Sequence, residues 1–132
     1  MNTNTETKYW VVGAAWDSGK DPQDESFVTK GIWMLGWEDG SQKDKASQIA
    51  PGDRIAIKRL LGKGQTGIRI MHIGVVRGVI LDTDKIVCTV NWVATNLDRV
   101  IGESKGCFKS VHGPYLKSDP TCKQWIEEIF SL

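Results

Sequence analysis

The residues best suited to chemistry in this sequence are its tryptophans. The chain of 132 residues has six of them, and four lie between positions 10 and 37. Trp16, Trp33 and Trp37 lie in or beside loop-like sequence rich in glycine and aspartate. A large ring in such sequence either packs a loop against the core or lines a pocket, where its flat face can stack on a planar ligand. Both interpretations are open at this point.

A second group of residues has the chemistry to contact phosphate. Between Arg54 and Ile80 the sequence has six basic residues and no acidic one, although the net charge of the chain is only +1. Such a local basic segment can attract a polyanion even when the protein as a whole is nearly neutral. The residues expected to contact phosphate are Lys58, Arg59, Lys63 and Arg69. The alternative is a solvated hairpin without a ligand.

The glycine-rich stretch GKGQTG, residues 62–67, matches the pattern G-x-G-x-x-G. A dinucleotide site requires a helix after this pattern, because the N-terminus of that helix receives the pyrophosphate. Here a β-like segment follows instead. The stretch is therefore predicted to be a mobile hairpin tip rather than a cofactor site, and it presents Lys63 to phosphates.

Few residues favour catalysis or metal binding. His72 lies inside the apolar segment IRIMHIGVV and is typical of a histidine satisfied within a sheet, while His112 has no evident nucleophile as a partner. Ser18 lacks the strand–turn–helix context of a hydrolase serine. The three cysteines have no short spacing, which argues against a disulfide framework and against a zinc cluster. We therefore expect a protein that is not an enzyme and that has no cofactor or metal.

The elements that must position these residues form an α+β pattern. Residues 1–7 are predicted to be a flexible tail, and residues 8–132 a single domain. Strands are predicted at 8–15, 54–61, 68–80, 85–94 and around 107–111, and short helices within 21–31 and 41–49. A C-terminal helix is predicted to begin near Asp119 and Pro120, with an apolar stripe of Trp125, Ile126, Ile129 and Phe130. Five or six strands with short flanking helices favour a small curved sheet or barrel.

Glycine and proline residues mark the predicted ends, turns and bends of these elements. Gly31 is predicted to end the first helix, and Pro51-Gly52 has the residues of a type II turn. Gly74 and Gly78, inside a predicted strand, indicate bends or bulges. The sequence has no apolar segment typical of a signal peptide and no stretch long enough to cross a bilayer, so a cytoplasmic protein without a membrane partner is expected.

The order of these motifs resembles the PUA-like superfamily, and within it the EVE-type domains. The resemblance is carried, over residues 8–94, by an early YW strand, an aromatic glycine-rich stretch, a short polar helix, the strand PGDRIAIKR and the strand IGVVRGV. Its strongest piece, at 46–57, is a helix followed by x-GD and an apolar strand. The version in this chain is similar to modules of McrB-type, modification-dependent restriction systems.

The resemblance implies a curved, PUA-like β-barrel flanked by helices, with a pocket that receives one base turned out of its nucleic acid. EVE domains and the related YTH domains read modified bases in this way, between aromatic side chains. Carried over to this sequence, the residues of the base-binding pocket are Trp16 and Trp33 first, then Trp37 and Trp10, with Ser18 beside them. The resemblance also places Asp53 in the GD turn, where it is expected to be structural.

We therefore predict a nucleic-acid-binding module that reads a modified, for example methylated, base flipped into an aromatic pocket, in DNA rather than RNA. As part of a restriction or defence system it would act through an effector nuclease or NTPase partner, since it has no catalytic groups of its own. The alternatives are an RNA-binding PUA-like module, a small enzyme on the same barrel and a protein-interaction domain. Trp10, Trp92 and Trp125 are expected to hold the fold, while Trp16 and Trp33 flank the pocket and Trp37 lies at its rim.

Overall fold

The structure is a computed structural model that describes residues 6–16, 21–36, 42–61, 66–106 and 110–132. Within these ranges it contains nine strands and three helices. The strands are β1 (Tyr9–Gly13), β2 (Ala15–Trp16), β3 (Asp21–Pro22), β4 (Ile32–Gly36), β5 (Arg54–Leu60), β6 (Ile68–Leu81), β7 (Lys85–Ala94), β8 (Arg99–Ile101) and β9 (Val111–Tyr115). The helices are α1 (Asp24–Lys30), α2 (Lys43–Ala46) and α3 (Lys123–Phe130).

Seven of the strands form one sheet, which is curled into a half-barrel. Its main path contains six strands in the order β4-β7-β6-β5-β1-β9, while β8 pairs with β6 off this path. Neighbouring strands are antiparallel except β1 and β5, which are parallel. The fold is therefore α+β, and the prediction of a small curved barrel-like sheet with short helices and a C-terminal helix is confirmed.

Glycine residues allow the long strand β6 to bend. The register between β6 and β7 shifts between Ile73 and Gly74 and again between Val76 and Gly78, which confirms the predicted bulges. A Cβ atom on Gly74 would lie 2.5 Å from Val90 Cγ1 and 2.9 Å from the ring of Trp92, so a larger residue would collide here. Bulges increase the local twist of a strand pair, and this twist helps a sheet to curl.

Helices cover both faces of the sheet, so the sheet lies between two buried clusters. On the first face, α1 and α2 pack against a buried cluster that includes Trp10, Trp33 and Ile57. On the second face, α3 packs against a cluster that includes Val11 and Ala56. Successive side chains of a strand point to opposite faces, so strands covered on both faces become continuous apolar runs. This explains the sequences WVV in β1 and IAI in β5.

Several predicted boundaries are confirmed, and others differ. α1 ends at Gly31, which has a φ of +68°, and the turn before β5 has Gly52 at a φ of +94°. The apolar stripe of α3 is confirmed, but α3 begins at Lys123 rather than at Pro120. Oδ1 of Asp119 instead accepts hydrogen bonds from the backbone N–H and the hydroxyl of Thr121, in a turn that precedes the helix. Of the strand expected around 107–111, residues 107–109 lie outside the described residues, and Val111 begins β9.

The segment GIWMLGW contains an edge strand where loop-like sequence was expected. β4 pairs antiparallel with β7, and Trp33 lies opposite Cys88. Branched and aromatic side chains suit the pleated surface of a sheet, and this preference outweighs the glycines at the two ends of the segment. Trp37 lies outside the described residues.

Candidate nucleic-acid interface

Trp33 and Trp10 are core residues rather than walls of an open pocket. The side chain of Trp33 is fully buried, and its Nε1–H donates to the backbone oxygen of Gly13 at 2.9 Å. Trp10 is equally buried, and its Nε1–H donates to Asp53 Oδ2 at 2.9 Å. An indole whose ring is covered and whose one donor is satisfied offers no face to a base. The assignment of these two residues to the pocket is therefore corrected, while the structural roles expected for Trp10 and Asp53 are confirmed.

Of the other four tryptophans, the structure describes the side chains of two, Trp92 and Trp125. Trp125 is buried, and its Nε1–H donates to the backbone oxygen of Glu103 at 2.6 Å, which confirms its role in the fold. Trp92 is half-buried and donates to the backbone oxygen of Phe27 at 3.2 Å. The backbone of Trp16 forms part of β2, but its side chain lies outside the described part of the structure, as do Trp37, Ser18 and Lys63.

The strands that carry the described phosphate-binding candidates reach one end of the sheet. β1 and β5 run parallel and finish together, with Gly13 opposite Lys58. The backbone N–H of Gly13 donates to Ser110 at 2.8 Å, so the start of β9 is at the same place. The chain leaves β1 here towards β2, and β5 ends here at Leu60. We call this end of the sheet, marked by Gly13, Leu60 and Ser110, the loop end.

Lys58 does not have the exposure that a phosphate contact requires. The residue is only 6% exposed, and its Nζ would lie 3.6 Å from a Cβ atom on Gly13 of the neighbouring strand β1. A buried ammonium group would have to leave its present surroundings to reach a phosphate oxygen. The prediction that Lys58 binds phosphate is therefore wrong for this conformation.

Arg59 and Arg69 lie side by side and are accessible. They are opposite each other in the paired strands β5 and β6, and their side chains are 44% and 37% exposed. Nη2 of Arg59 donates to both carboxylate oxygens of Asp24, at 2.7 and 2.9 Å. Nη1 of Arg69 donates to Asp98 Oδ1. The remaining guanidinium nitrogens of both residues have no hydrogen-bond partner among the described residues.

Asp24 is held from a second direction by His72. Both side chains are buried, and His72 Nε2 lies 3.2 Å from Asp24 Oδ2. His72 Nδ1 accepts the backbone N–H of Asn96 at 3.1 Å, so in the neutral ring the proton is on Nε2 and is donated to Asp24. Burial alone would raise the pKa of Asp24, but the hydrogen bond and positive charge of Arg59, together with the hydrogen bond of His72, lower it. The prediction that His72 is satisfied within the sheet is confirmed.

The segment 95–98 supplies the other side of this cluster. It separates β7 from β8, which both pair with β6. Asn96 and Asp98 have φ angles of +54° and +51°, a conformation that asparagine and aspartate tolerate better than most residues. The backbone N–H of Leu97 donates to Met71 at 2.9 Å and fixes the segment against β6. This backbone path brings Asn96 to His72 and Asp98 to Arg69.

Together these residues form a polar surface that we call the arginine strip: Asp24, Arg59, Arg69, His72, Asn96 and Asp98. A guanidinium group presents its donors in a planar fork that matches the oxygens of phosphate. Both ring nitrogens of His72 are occupied, and Asp24 is occupied by Arg59 and His72. The arrangement is therefore suited to binding an anion.

Sequence reasoning identified the two arginines of the strip but not the aspartates that hold them. Asp24 lies in a run of acidic residues at the start of a short helix, which is typical of a solvated first turn. Its burial depends on strands β5 and β6, which are distant in sequence. Asp98 follows a predicted strand in the sequence TNLD, and this cluster of turn-forming residues was a usable signal for a tight segment at the strand end.

A separate groove lies on the second face. It has a volume of about 520 Å³ and runs between the C-terminal end of α3 and strands β5, β6 and β7. Ile73, Val75 and Phe130 give it an apolar floor, while Arg54 and Lys117 lie at its edge. Its chemistry differs from that of the arginine strip, because an apolar floor does not match a phosphate backbone.

No model of a known protein family matches the chain, and no curated protein sequence matches it significantly. Among the described residues, no group of three or more histidine, cysteine, aspartate or glutamate side chains is placed to hold a metal ion. No helix in the described ranges is long and apolar enough to cross a membrane.

Proposed function

We propose that this protein is a nucleic-acid-binding module that reads a modified base, in DNA rather than RNA. The observation that supports this best is the pair Arg59 and Arg69, in which each guanidinium is held through one nitrogen by an aspartate. Cβ atoms of residues that lie opposite each other in antiparallel strands are about 5 Å apart. Two arginines at this spacing suit two oxygens of one phosphate or two neighbouring phosphates.

The position of the arginine strip supports a base pocket at the loop end. Arg59 lies one residue before the end of β5, and Asp24 begins α1, just after the segment that contains Trp16 and Ser18. The proposed aromatic wall is Trp16, since Trp10 and Trp33 belong to the core. Trp37 has less support, because β4 ends at Gly36, opposite Lys85 and away from the loop end.

The energies required for this function are within reach of such a site. Turning a base out of a duplex costs a few kcal/mol, and stacking on an aromatic ring returns about 1–3 kcal/mol per base. Phosphate contacts by arginine add affinity that does not depend on sequence and that falls as salt rises. A pocket that senses one added methyl group discriminates by about 1–3 kcal/mol, so recognition of the modification is expected to be moderate.

The function is tested by measuring binding to short labelled DNA duplexes with and without methylated cytosine, and to RNA of the same sequence, at several salt concentrations. Arg69→Gln should weaken binding to all of them and reduce the slope of log Kd against log salt by about one. Arg77→Gln removes the same charge from an exposed position further along β6 and is the matched control. Trp16→Ala should remove the preference for the modified duplex.

The same measurements separate the alternatives. Tighter binding to RNA than to DNA would favour the RNA-binding module, and chemical change of the oligonucleotide over many turnovers would favour an enzyme. The groove on the second face is the feature that favours a protein-interaction domain. If the wild-type protein binds neither DNA nor RNA at low salt, the proposed function is wrong. If it binds the modified duplex, the proposal assigns cleavage or remodelling to an effector nuclease or NTPase partner.

A further inference from the structure

The two aspartates of the arginine strip differ in burial and in their number of hydrogen-bond partners. The side chain of Asp24 is 4% exposed and is bonded by both Arg59 and His72. The side chain of Asp98 is 62% exposed, and within the described part of the chain its carboxylate contacts Arg69 alone. Water can therefore compete for Asp98 but not for Asp24.

The backbone nevertheless directs Asp98 to Arg69. Asn96 and Leu97 are fixed to β6 through His72 Nδ1 and the backbone oxygen of Met71, and Asp98 follows immediately. An ion pair between exposed side chains adds little to stability. What the pair does change is the state of Arg69, since Nη1 of its guanidinium is already occupied by an anion when no ligand is bound.

We infer that Asp98 is an internal competitor for the anionic ligand of Arg69. In the free protein its carboxylate occupies the guanidinium, and a phosphate oxygen of the ligand takes this place on binding while the carboxylate turns to water. Arg59 remains bonded to Asp24 and acts as a fixed donor beside it. The identity of the ligand as a phosphodiester rests on the proposed function, but the exchange itself requires only a phosphate group.

The competitor has a consequence for which ligands bind at a given concentration. It lowers the affinity for every phosphate-containing ligand by the same factor, whether or not the ligand carries the recognised base. Binding through the backbone alone then becomes weaker, so a useful affinity requires the additional contribution of a base in the pocket. Asp98 thus leaves the ratio of affinities with and without the base unchanged, but it lowers the occupancy by ligands that bind through phosphate alone.

Asp98→Asn is the decisive variant. Asparagine tolerates the positive φ at this position and retains the size of the side chain, but it has no charge with which to hold Arg69. Inorganic pyrophosphate, titrated into the full chain and followed by the NMR signals of the arginine Nε–H groups, should bind about two- to fivefold more tightly to the variant than to the wild type. Asp84→Asn, an exposed aspartate beside Lys85 in the β6–β7 turn, removes the same charge elsewhere and should leave the affinity unchanged.

Equal or weaker binding of pyrophosphate by Asp98→Asn, or no binding at all, overturns the inference. Equal tightening by Asp84→Asn also overturns it, because the effect would then come from net charge alone. The same proteins are tested with the DNA duplexes. If pyrophosphate responds as expected but no nucleic acid binds, the competitor stands and the proposed function fails. If nucleic acid binds and Asp98→Asn behaves like Asp84→Asn with both probes, the proposed function stands and the inference fails.

Discussion

Replacing Asp24 by asparagine should destabilise the fold in a way that depends on pH. The carboxylate accepts from Arg59 at both oxygens and from His72 at Oδ2. An asparagine in this place has one acceptor and one donor group. Its NH₂ would face the donor Arg59 in either orientation, and the donor His72 as well if it replaced Oδ2. His72 cannot change tautomer without placing a second N–H against that of Asn96.

The size of the effect depends on the burial of Asp24 and on the exposure of its partner Arg59. A hydrogen bond to a charged group contributes about 1.5–3 kcal/mol, and breaking a fully buried ion pair costs about 3–5 kcal/mol. The side chain of Arg59 is 44% exposed and can recover water, so the cost should lie near the lower values. We expect Asp24→Asn to lose about 2 kcal/mol of unfolding free energy at neutral pH.

The pH dependence has a definite sign. Because the pKa of Asp24 is lowered in the folded protein, its contribution is fully present above the unfolded pKa of about 3.9 and is lost as the pH falls through the lower folded value. Urea unfolding followed by tryptophan fluorescence should therefore show a constant gap between wild type and variant above about pH 5, and a smaller gap near pH 3. Asp84→Asn is the control for loss of an exposed charge. A gap below about 0.5 kcal/mol at pH 7, or one that widens in acid, would refute the reasoning.

Three further predictions concern the core and the glycine-rich stretch. Trp33→Phe should destabilise the domain by about 1–3 kcal/mol, because it removes the part-buried hydrogen bond from the indole N–H to the backbone oxygen of Gly13. An unchanged urea midpoint would show that the indole N–H contributes nothing. Trp125→Ala should cost about 3–5 kcal/mol by the same assay, as truncation of a buried aromatic residue does. The stretch 62–67 should not bind nucleotide cofactors, so calorimetry with NAD or ATP should give no saturable heat, and a tight complex with either would revive the enzyme hypothesis.

The parts of the fold that sequence predicted correctly depend on local signals. The apolar stripe of α3 repeats with the helical period, and Gly31 ends α1 because only a residue without Cβ adopts positive φ without cost. The 85–94 strand was predicted at the observed bounds because its branched residues and flanking turn are both local features.

The parts of the fold and of the site that could not be predicted depend on partners that are distant in sequence. GIWMLGW has glycines that suggest a loop, and only pairing with β7 makes it a strand. Lys58 looks exposed in an alternating sequence, but in the folded sheet it is buried and its Nζ lies near Gly13, which is distant in sequence. The same holds for Asp24, whose partners lie in β5 and β6. The arginines of the site were found from composition, whereas their anchoring aspartates required the register of the sheet.

The parallel pairing of β1 with β5 affects the order in which the chain can fold. Tyr9 lies opposite Arg54 on one side of β1, and Val12 lies opposite Val111 on the other. During synthesis β1 must therefore wait for β5, and it lacks its second neighbour until β9 has also been made. Until then Trp10, Val11 and Val12, all fully buried in the finished sheet, have no permanent cover. Such non-local pairing is slow, typically taking milliseconds to seconds, so the apolar residues of β1 are open to aggregation while the protein is being made.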